Sequence, residues 1–356
     1  MSTKRIFNFN AGPSILPLEV LEEIKENFMN FGGMSILEIS HRSKAFEAII
    51  ESAKENLRAL MQIPKNYQIL FLQGGASLQF AMVPLNLLDK EADYAITGYW
   101  AKKAAAEAKL VGKTNVVFSS EEKKFSRVPT PSEIKTTANT SYLHITSNNT
   151  IYGTEYHAFP ETGAVPLVAD MSSDILCRKI DVSKFGLIYA GAQKNIGPAG
   201  VTVVLIRDDL ATKNYHSVHT MLKYSTHTEN NSLFNTPPVF AIYAMKLTLD
   251  WLKKQGLEKI ESLNRQKAAM LYEAIDGSSF YKGSADKDSR SLMNVTFNLP
   301  TPELEEKFIK EAAAKDMSGL KGHRLVGGIR ASIYNAFPLD GVKELFAFMK
   351  EFERKQ

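Results

Sequence analysis

The sequence predicts an α/β protein with a mostly parallel sheet covered by helices on both faces, followed by a small C-terminal α+β domain. Short, almost continuous apolar stretches such as "YQILFL" and "VTVVLI" alternate with helical patterns in the first part of the chain. Near the end, the order becomes strand, helix, strand, helix. A length of 356 residues exceeds the size at which one core usually stops growing. We therefore predict a large domain over residues 1–260, a small domain over 261–356, and an N-terminal segment that packs with the small domain.

The composition is that of an ordinary globular protein and excludes several functional classes. Hydrophobic residues make up 44% of the chain and charged residues 23%. The balance of 43 basic and 39 acidic residues is too even to indicate a nucleic-acid or membrane surface. Cys177 is the only cysteine, which excludes an intrachain disulfide and favours a reducing compartment. With no signal-peptide pattern and no apolar run of membrane-spanning length, the expected location is cytoplasmic.

The predicted elements follow from apolar spacing. Two amphipathic packing helices are expected over residues 17–31 and 45–61. The predicted strands of the main sheet are "YQILFL", "DYAITG", "NVVFS", "SYLHIT", "PLVAD", "GLIYA" and "VTVVLI", with helices from Ser77 and over "AKKAAAEAKLVG". A long helical stretch over about 238–276 leads to "NVTFNL", "ELEEKFIKEAAAK", "GGIRASIY" and a final helix from about Asp340.

Ligands of open parallel sheets bind beyond the carboxyl ends of the strands, so the residues that follow each strand are the informative ones. They are residues 74–77, residues 98–100, Thr150, Asp170 and the pair Gln193 and Lys194. A glycine-rich turn, a tryptophan, a carboxylate and a lysine are thereby predicted to share one edge of the sheet.

Lys194 is unusual because it lies in an alanine- and glycine-rich turn directly after a buried strand. At an ordinary pKa of about 10.4, only roughly one lysine in a few thousand is neutral at pH 7. Burial or a neighbouring cation would lower that pKa and produce a nucleophilic amine, as in enzymes that form Schiff bases. The alternative is a loop lysine that extends into solvent.

Asp170 and Trp100 suit a pyridine-type cofactor, although each has a simpler interpretation. A carboxylate against a pyridine nitrogen keeps that nitrogen protonated, which is what pyridoxal phosphate chemistry requires. Trp100 would provide a stacking face, and the "LQGGAS" turn before a helix would hold a phosphate. Otherwise Asp170 is a turn or helix-capping residue, Trp100 is a core residue, and the glycines only form a turn.

Taken together, several motifs carry a resemblance to a known family. "FNFNAGPSILP", "EISHRSKAF", "QGGAS", "VADMSSD", "AGAQKNIGPAG", "NTPP" and "GHRLVGGIRASIYNA" occur in this order. The chain resembles, over essentially its whole length, the phosphoserine aminotransferase family of the class-V, fold-type-I pyridoxal phosphate enzymes. This resemblance implies a homodimeric transaminase that interconverts O-phospho-L-serine and 3-phosphohydroxypyruvate with 2-oxoglutarate and L-glutamate, with 4-phosphohydroxy-L-threonine as a possible further substrate.

The resemblance also implies a role for each motif residue. Lys194 would bind pyridoxal 5'-phosphate as a Schiff base, Asp170 would pair with the ring nitrogen, and Trp100 would stack on the ring. Thr150 would contact the phenolic oxygen. The phosphate would be held by Ala76, Ser77 and Gln193, and by Asn235 and Thr236 of the neighbouring subunit.

Basic residues are implied for the substrate. Arg330 would bind the α-carboxylate, because a planar guanidinium matches two carboxylate oxygens. The pairs His41 with Arg42 and His323 with Arg324 would bind the distal anion, and one pair would come from the other subunit. A solvent-exposed role for each of these residues is the alternative interpretation.

Two departures and several rival functions remain open. Some relatives have serine where this chain has Ala11, and others have arginine where it has Ser77, which leaves cofactor affinity open.

Residues His216, His219, His227 and Glu229 lack a metal-site framework, so no metal is expected. The rivals are another aminotransferase or a desulfurase on the same fold, and a protein that binds a phosphate ligand without turnover. A nucleotide enzyme is disfavoured because neither glycine-rich nucleotide motif is present.

Overall fold

The computed structural model describes residues 5–356. Residues 1–4, with which the predicted large domain begins, lie outside the described residues. The helices are α1 (Leu18–Met29), α2 (Lys44–Met61), α3 (Gly75–Leu87), α4 (Tyr99–Lys109), α5 (Asp208–Ala211), α6 (Tyr224–Glu229), α7 (Val239–Gln255), α8 (Leu257–Asp276), α9 (Pro302–Ala314) and α10 (Leu339–Arg354). The strands are β1 (Phe7–Asn8), β2 (Tyr67–Leu72), β3 (Glu91–Ile96), β4 (Lys113–Ser119), β5 (Thr140–Thr146), β6 (Asn148–Asn149), β7 (Thr154–Glu155), β8 (Leu167–Asp170), β9 (Leu187–Gly191), β10 (Thr202–Arg207), β11 (Lys282–Gly283), β12 (Asn294–Asn298), β13 (Met317–Ser318) and β14 (Ile329–Ser332).

The main sheet has seven strands in the order β2-β10-β9-β8-β5-β3-β4. The five strands from β9 to β4 are parallel, which confirms the predicted mostly parallel sheet. Strand β10 is antiparallel to both β9 and β2. Its reversal has a simple cause, because the connection from β9 contains no helix, whereas a parallel return usually needs a crossover of about a dozen residues or more.

Helices cover both faces of this sheet, as predicted. Alternate residues of β2 point to opposite sides, so that Ile69 and Phe71 join one core while Leu70 and Leu72 join another. The first core includes apolar residues of α2 and α7, and the second includes residues of α3 and α4. The sheet is therefore buried on both sides, and its strand ends remain available for a ligand.

The C-terminal part forms its own apolar core around the sheet β11-β12-β14, with α8, α9 and α10 packed against it. The short strand β1 pairs in parallel with β13, which attaches the N-terminal segment to this part of the fold. The predicted boundary at residue 260 falls inside α8, where Ile260 belongs to the first core and Ala268 to the C-terminal core. The exact division into domains stays a prediction.

The predicted helical stretch over 238–276 is two helices rather than one. Gly256 lies between α7 and α8 with a φ of +82°, a positive value that glycine adopts readily, and it ends the first helix. The apolar spacing continues across the break, which is why periodicity alone missed it. Within residues 5–356, no helix is long and apolar enough to cross a membrane.

Candidate active site

A cavity of about 320 Å³ lies at the carboxyl edge of the main sheet. It is lined by residues 74–77, Phe80, Trp100, Thr146, Asn148, Thr150, Asp170, Ser172, Ser173, Gly191, Gln193 and Lys194. Its volume is within the range of about 300–1,000 Å³ that is common for small-molecule sites. The cavity therefore brings together seven residues that were predicted from the sequence: Ala76, Ser77, Trp100, Thr150, Asp170, Gln193 and Lys194.

Lys194 lies three residues after the end of β9, in a turn that is fastened to the N-terminal segment. The Ser14 hydroxyl donates to the Lys194 carbonyl, and the Ser14 backbone N–H donates to the Gln193 carbonyl at 2.9 Å. Gly12 is also close, since a Cβ there would lie 3.5 Å from Lys194 Cγ. The Lys194 Nζ donates to Thr150 Oγ1 at 2.8 Å, so the amine points into the cavity rather than into bulk solvent.

The surroundings of Lys194 make its amine easier to deprotonate. Burial lowers the pKa of Lys194 to about 8, the Asp170 carboxylate opposes that decrease, and the Arg330 guanidinium adds to it. At pH 7, about one molecule in ten then carries a neutral amine, against roughly one in 2,500 for an ordinary lysine. The structure thus gives Lys194 the property that a nucleophilic or proton-transferring amine needs.

Asp170 ends β8, the strand next to β9, and its side chain is only 5% exposed. The Ser172 backbone N–H donates to Asp170 Oδ1 at 2.9 Å. Burial raises the pKa of Asp170, while the hydrogen bonds from Ser172 and the charge of Lys194 favour the ionised form. Among residues 5–356, Asp170 forms no ion pair with an arginine or a lysine, so its carboxylate can accept a hydrogen bond from a cationic ligand group in the cavity.

The first turn of α3 provides a site for an anion. Gly74 has a φ of +84°, and a Cβ there would lie 2.6 Å from Leu78 Cδ2, so this turn requires glycine. Within residues 5–356, the backbone N–H groups of Gly75, Ala76 and Ser77 have no hydrogen-bond acceptor. Free N–H groups and the helix dipole together favour a phosphate at this position.

Trp100 lies in the first turn of α4 and lines the cavity with part of its surface exposed. It packs edge-on against Tyr99, with ring centroids 5.1 Å apart, and Tyr99 in turn lies 6.2 Å from the His323 ring. The aromatic wall of the cavity is thereby continuous with the segment that carries His323 and Arg324.

Arg330 lies on β14, beside the cavity. Its Nη1 donates to the Thr150 carbonyl at 3.5 Å, and its buried Nε has no partner among the described residues. No carboxylate within residues 5–356 forms an ion pair with it. A mostly buried guanidinium that has donors to spare is suited to an incoming carboxylate.

The other predicted residues do not line this cavity. His41 and Arg42 lie in the turn before α2, where Arg42 is exposed. The Thr236 carbonyl accepts from Gln73 Nε2 at 2.9 Å, and Asn235 lines a separate cavity of about 220 Å³. Asn235 and Thr236 are expected from the sequence to act at the neighbouring subunit's site, and one of the two His-Arg pairs is expected to come from the other subunit. The roles of these four residues therefore stay predictions.

Several cavity residues were missed in the sequence. They are Phe80, Thr146, Asn148, Ser172, Ser173 and Gly191. Thr146 ends β5, and Ser172 and Ser173 follow β8, so the rule on strand ends would have found these three. Thr146 Oγ1 is buried without a partner among the described residues, which marks it as a group available to a ligand.

Two alternatives weighed from the sequence can be compared with the structure. His216 Nε2 and His227 Nε2 each donate to a backbone carbonyl, and no group of three or more metal-ligating side chains occurs within residues 5–356. Cys177 is fully buried, and burial raises the pKa of its thiol, so it is poorly placed for the nucleophilic role that a desulfurase requires.

Comparison with known proteins identifies close relatives. The family model for aminotransferase class-V matches residues 6–345. The phosphoserine aminotransferase of Desulfosudis oleivorans is 57% identical, over 99% of both chains. The solved structure of phosphoserine aminotransferase from Bacillus circulans subsp. alkalophilus is 51% identical, with a TM-score of 0.97 over 99% of both chains. PLP-bound phosphoserine aminotransferase from Trichomonas vaginalis is 38% identical, with a TM-score of 0.92 over 97% of this chain and all of that one.

Proposed function

This chain belongs to the aminotransferase class-V family, and from that premise we propose that it catalyses the reversible transamination of O-phospho-L-serine with 2-oxoglutarate. The products are 3-phosphohydroxypyruvate and L-glutamate, and the cofactor is pyridoxal 5'-phosphate. The observation that carries the proposal is the buried amine of Lys194, held 2.8 Å from Thr150 Oγ1 in a cavity that also contains the Asp170 carboxylate.

The donors of the cavity fit this cofactor. The free N–H groups at the start of α3 match its phosphate, and Gln193 lies on the same wall. Asp170 would hold the ring nitrogen protonated, and Trp100 would cover one face of the ring. Lys194 would bind the aldehyde carbon covalently, and Thr150, which now accepts from the Lys194 amine, would hold the phenolic oxygen.

When bound, the cofactor supplies an electron sink that stabilises negative charge at the substrate α-carbon. The chain's own residues provide the rest of the reaction. Lys194 Nζ, freed when the incoming amino acid replaces it on the cofactor, would carry the proton from the substrate α-carbon to the cofactor in one half-reaction and in the reverse direction in the other. A pKa near 8 suits this exchange, because both protonation states are accessible near neutral pH.

Different residues would recognise the two ends of the substrate. Arg330 would bind the α-carboxylate, which every substrate of the reaction contains. His41 with Arg42 and His323 with Arg324 would bind the distal phosphate or carboxylate, in a homodimer in which Asn235 and Thr236 reach the neighbouring site. We also propose a cytoplasmic location, in keeping with the single buried Cys177, and include 4-phosphohydroxy-L-threonine as a substrate to be tested.

The experiment that tests the proposal uses Lys194→Ala beside the wild type. The wild-type protein should be yellow, should carry the cofactor on Lys194 after borohydride reduction, and should form glutamate from phosphoserine and 2-oxoglutarate. The variant should fold normally but lose transamination. If the variant kept substantial activity, Lys194 would not be the reacting amine. A protein that binds the cofactor without any turnover would favour the binding-protein alternative instead.

A further inference from the structure

A compact loop carries His323 and Arg324 between β13 and β14. We call residues 321–328 the His323 loop. Its base is closed where the Gly322 N–H donates to the Gly328 carbonyl at 2.8 Å, and the His323 carbonyl accepts from the N–H groups of Val326 and Gly327, both at 2.9 Å. Arg324 is exposed, so the loop presents its basic group to solvent from a closed base.

Glu305 on α9 joins this base to the rest of the fold. Its Oε2 accepts from the Gly328 N–H at 3.0 Å. Its Oε1 accepts from Asn298 Nδ2 at 3.1 Å and from the Leu299 N–H at 3.3 Å. Both carboxylate oxygens are therefore used, and all three donors belong to the end of β12 or to the loop.

Gly328 packs closely against β12. Gly328 has a φ of +70°, and a Cβ at this position would lie 2.6 Å from Asn298 Nδ2 and 2.8 Å from the Phe297 carbonyl. The loop thus runs directly against β12, and its Gly328 N–H has no acceptor other than Glu305 among the described residues. Glu305 forms no ion pair with a lysine or arginine in the described part of the chain, so its charge is directed at these hydrogen bonds.

We infer that Glu305 is a positioning residue for the distal-anion site. By fixing the base of the His323 loop against β12 and α9, it holds His323 beside Tyr99, with Arg324 exposed on the same loop. Glu305 does not line the cavity that contains Lys194. This inference rests on the proposed function, because it gives the loop its role in binding the distal anion of phosphoserine.

The test compares Glu305→Gln with a matched control, Glu306→Gln, in the cofactor-loaded enzyme. Glutamine preserves the shape and one acceptor oxygen but places an NH₂ group against an N–H donor. Glu306 is an exposed neighbour on the same helix, so the control makes the same change of charge. Because a hydrogen bond to a charged group is lost, we expect KM for phosphoserine and for 2-oxoglutarate to rise roughly tenfold in the Glu305 variant. The value of kcat should change much less, and Glu306→Gln should match the wild type.

Limited trypsin digestion gives a second readout that does not depend on turnover. Cleavage after Arg324, followed by mass spectrometry of the released peptides, should be roughly tenfold faster in Glu305→Gln, because cleavage reports the population of the opened loop. Unchanged KM values in an active variant, or a lower kcat with KM unaltered, would overturn the positioning role. A wild-type enzyme that does not transaminate phosphoserine would instead overturn the proposed function, so the two failures can be told apart.

Discussion

The amine of Lys194 should titrate near pH 8 in the cofactor-free protein, well below an ordinary lysine. At pH 7, a pKa of about 8 leaves about one amine in ten neutral, whereas a pKa of 10.4 leaves roughly one in 2,500, a difference of about 250-fold in reactive amine. The rate at which the cofactor-free protein captures pyridoxal phosphate should therefore rise with pH up to about 8 and then level off. Absorbance of the bound cofactor measures that rate. Dividing by the rate for a free lysine derivative, expressed per neutral amine of that derivative, removes the titration of the aldehyde itself.

Two substitutions should shift this profile in opposite directions. Asp170 raises the pKa of Lys194, so Asp170→Asn should move the levelling point to lower pH. Arg330 lowers that pKa, so Arg330→Gln should move it to higher pH. A wild-type rate that keeps rising to about pH 10, or a shift of both variants in the same direction, would refute the view that burial and these two charges set the pKa.

Two further predictions concern stability. Gly98→Ala should cost about 1–3 kcal/mol of unfolding free energy, because the new Cβ would lie 2.5 Å from the buried Asn149 Oδ1. In denaturant melts, Gly283→Ala, where the nearest atom is 3.4 Å away, should cost much less, and equal costs would contradict the steric argument. Lys267→Met should lower the unfolding free energy by about 3–5 kcal/mol, since the Lys267 amine donates to three buried backbone carbonyl groups. The control Lys259→Met, on the exposed side of the same helix, should leave the melt almost unchanged.

The part of the site that the sequence predicts best is the part built from strand ends. Asp170 is the last residue of β8 and Lys194 lies three residues after β9, and these neighbouring parallel strands end at the same edge of the sheet. For each side chain, a predicted strand and the polar residue at or just after its end are then enough to predict that it lies at this edge. The same reasoning extends to Thr146 at the end of β5 and to Ser172 just after β8, which were overlooked in the sequence.

Other features depend on contacts between distant segments, which local patterns do not contain. Strand β10 is as apolar as its neighbours, so its antiparallel direction is visible only in the pairing. The Gly256 break lies inside a continuous apolar period. Glu305 is one of several acidic residues on an ordinary amphipathic helix, and nothing in its surroundings along the chain indicates that Gly328 donates to it.

Arg330 and the His323 loop are held in the fold in different ways, and this difference bears on how one enzyme accepts two distal anions. Thr150 links the two side chains of Arg330 and Lys194, since its carbonyl accepts from Arg330 Nη1 at 3.5 Å and its Oγ1 accepts from the Lys194 amine at 2.8 Å. Arg330 is thereby fixed relative to the Lys194 amine, which suits the α-carboxylate that all substrates share. His323 and Arg324 lie on a loop attached mainly through its base. Phosphate and carboxylate differ in size and charge, so under the role proposed for His323 and Arg324, a loop that is fixed at its base but exposed at its tip can meet either anion without disturbing the reacting amine.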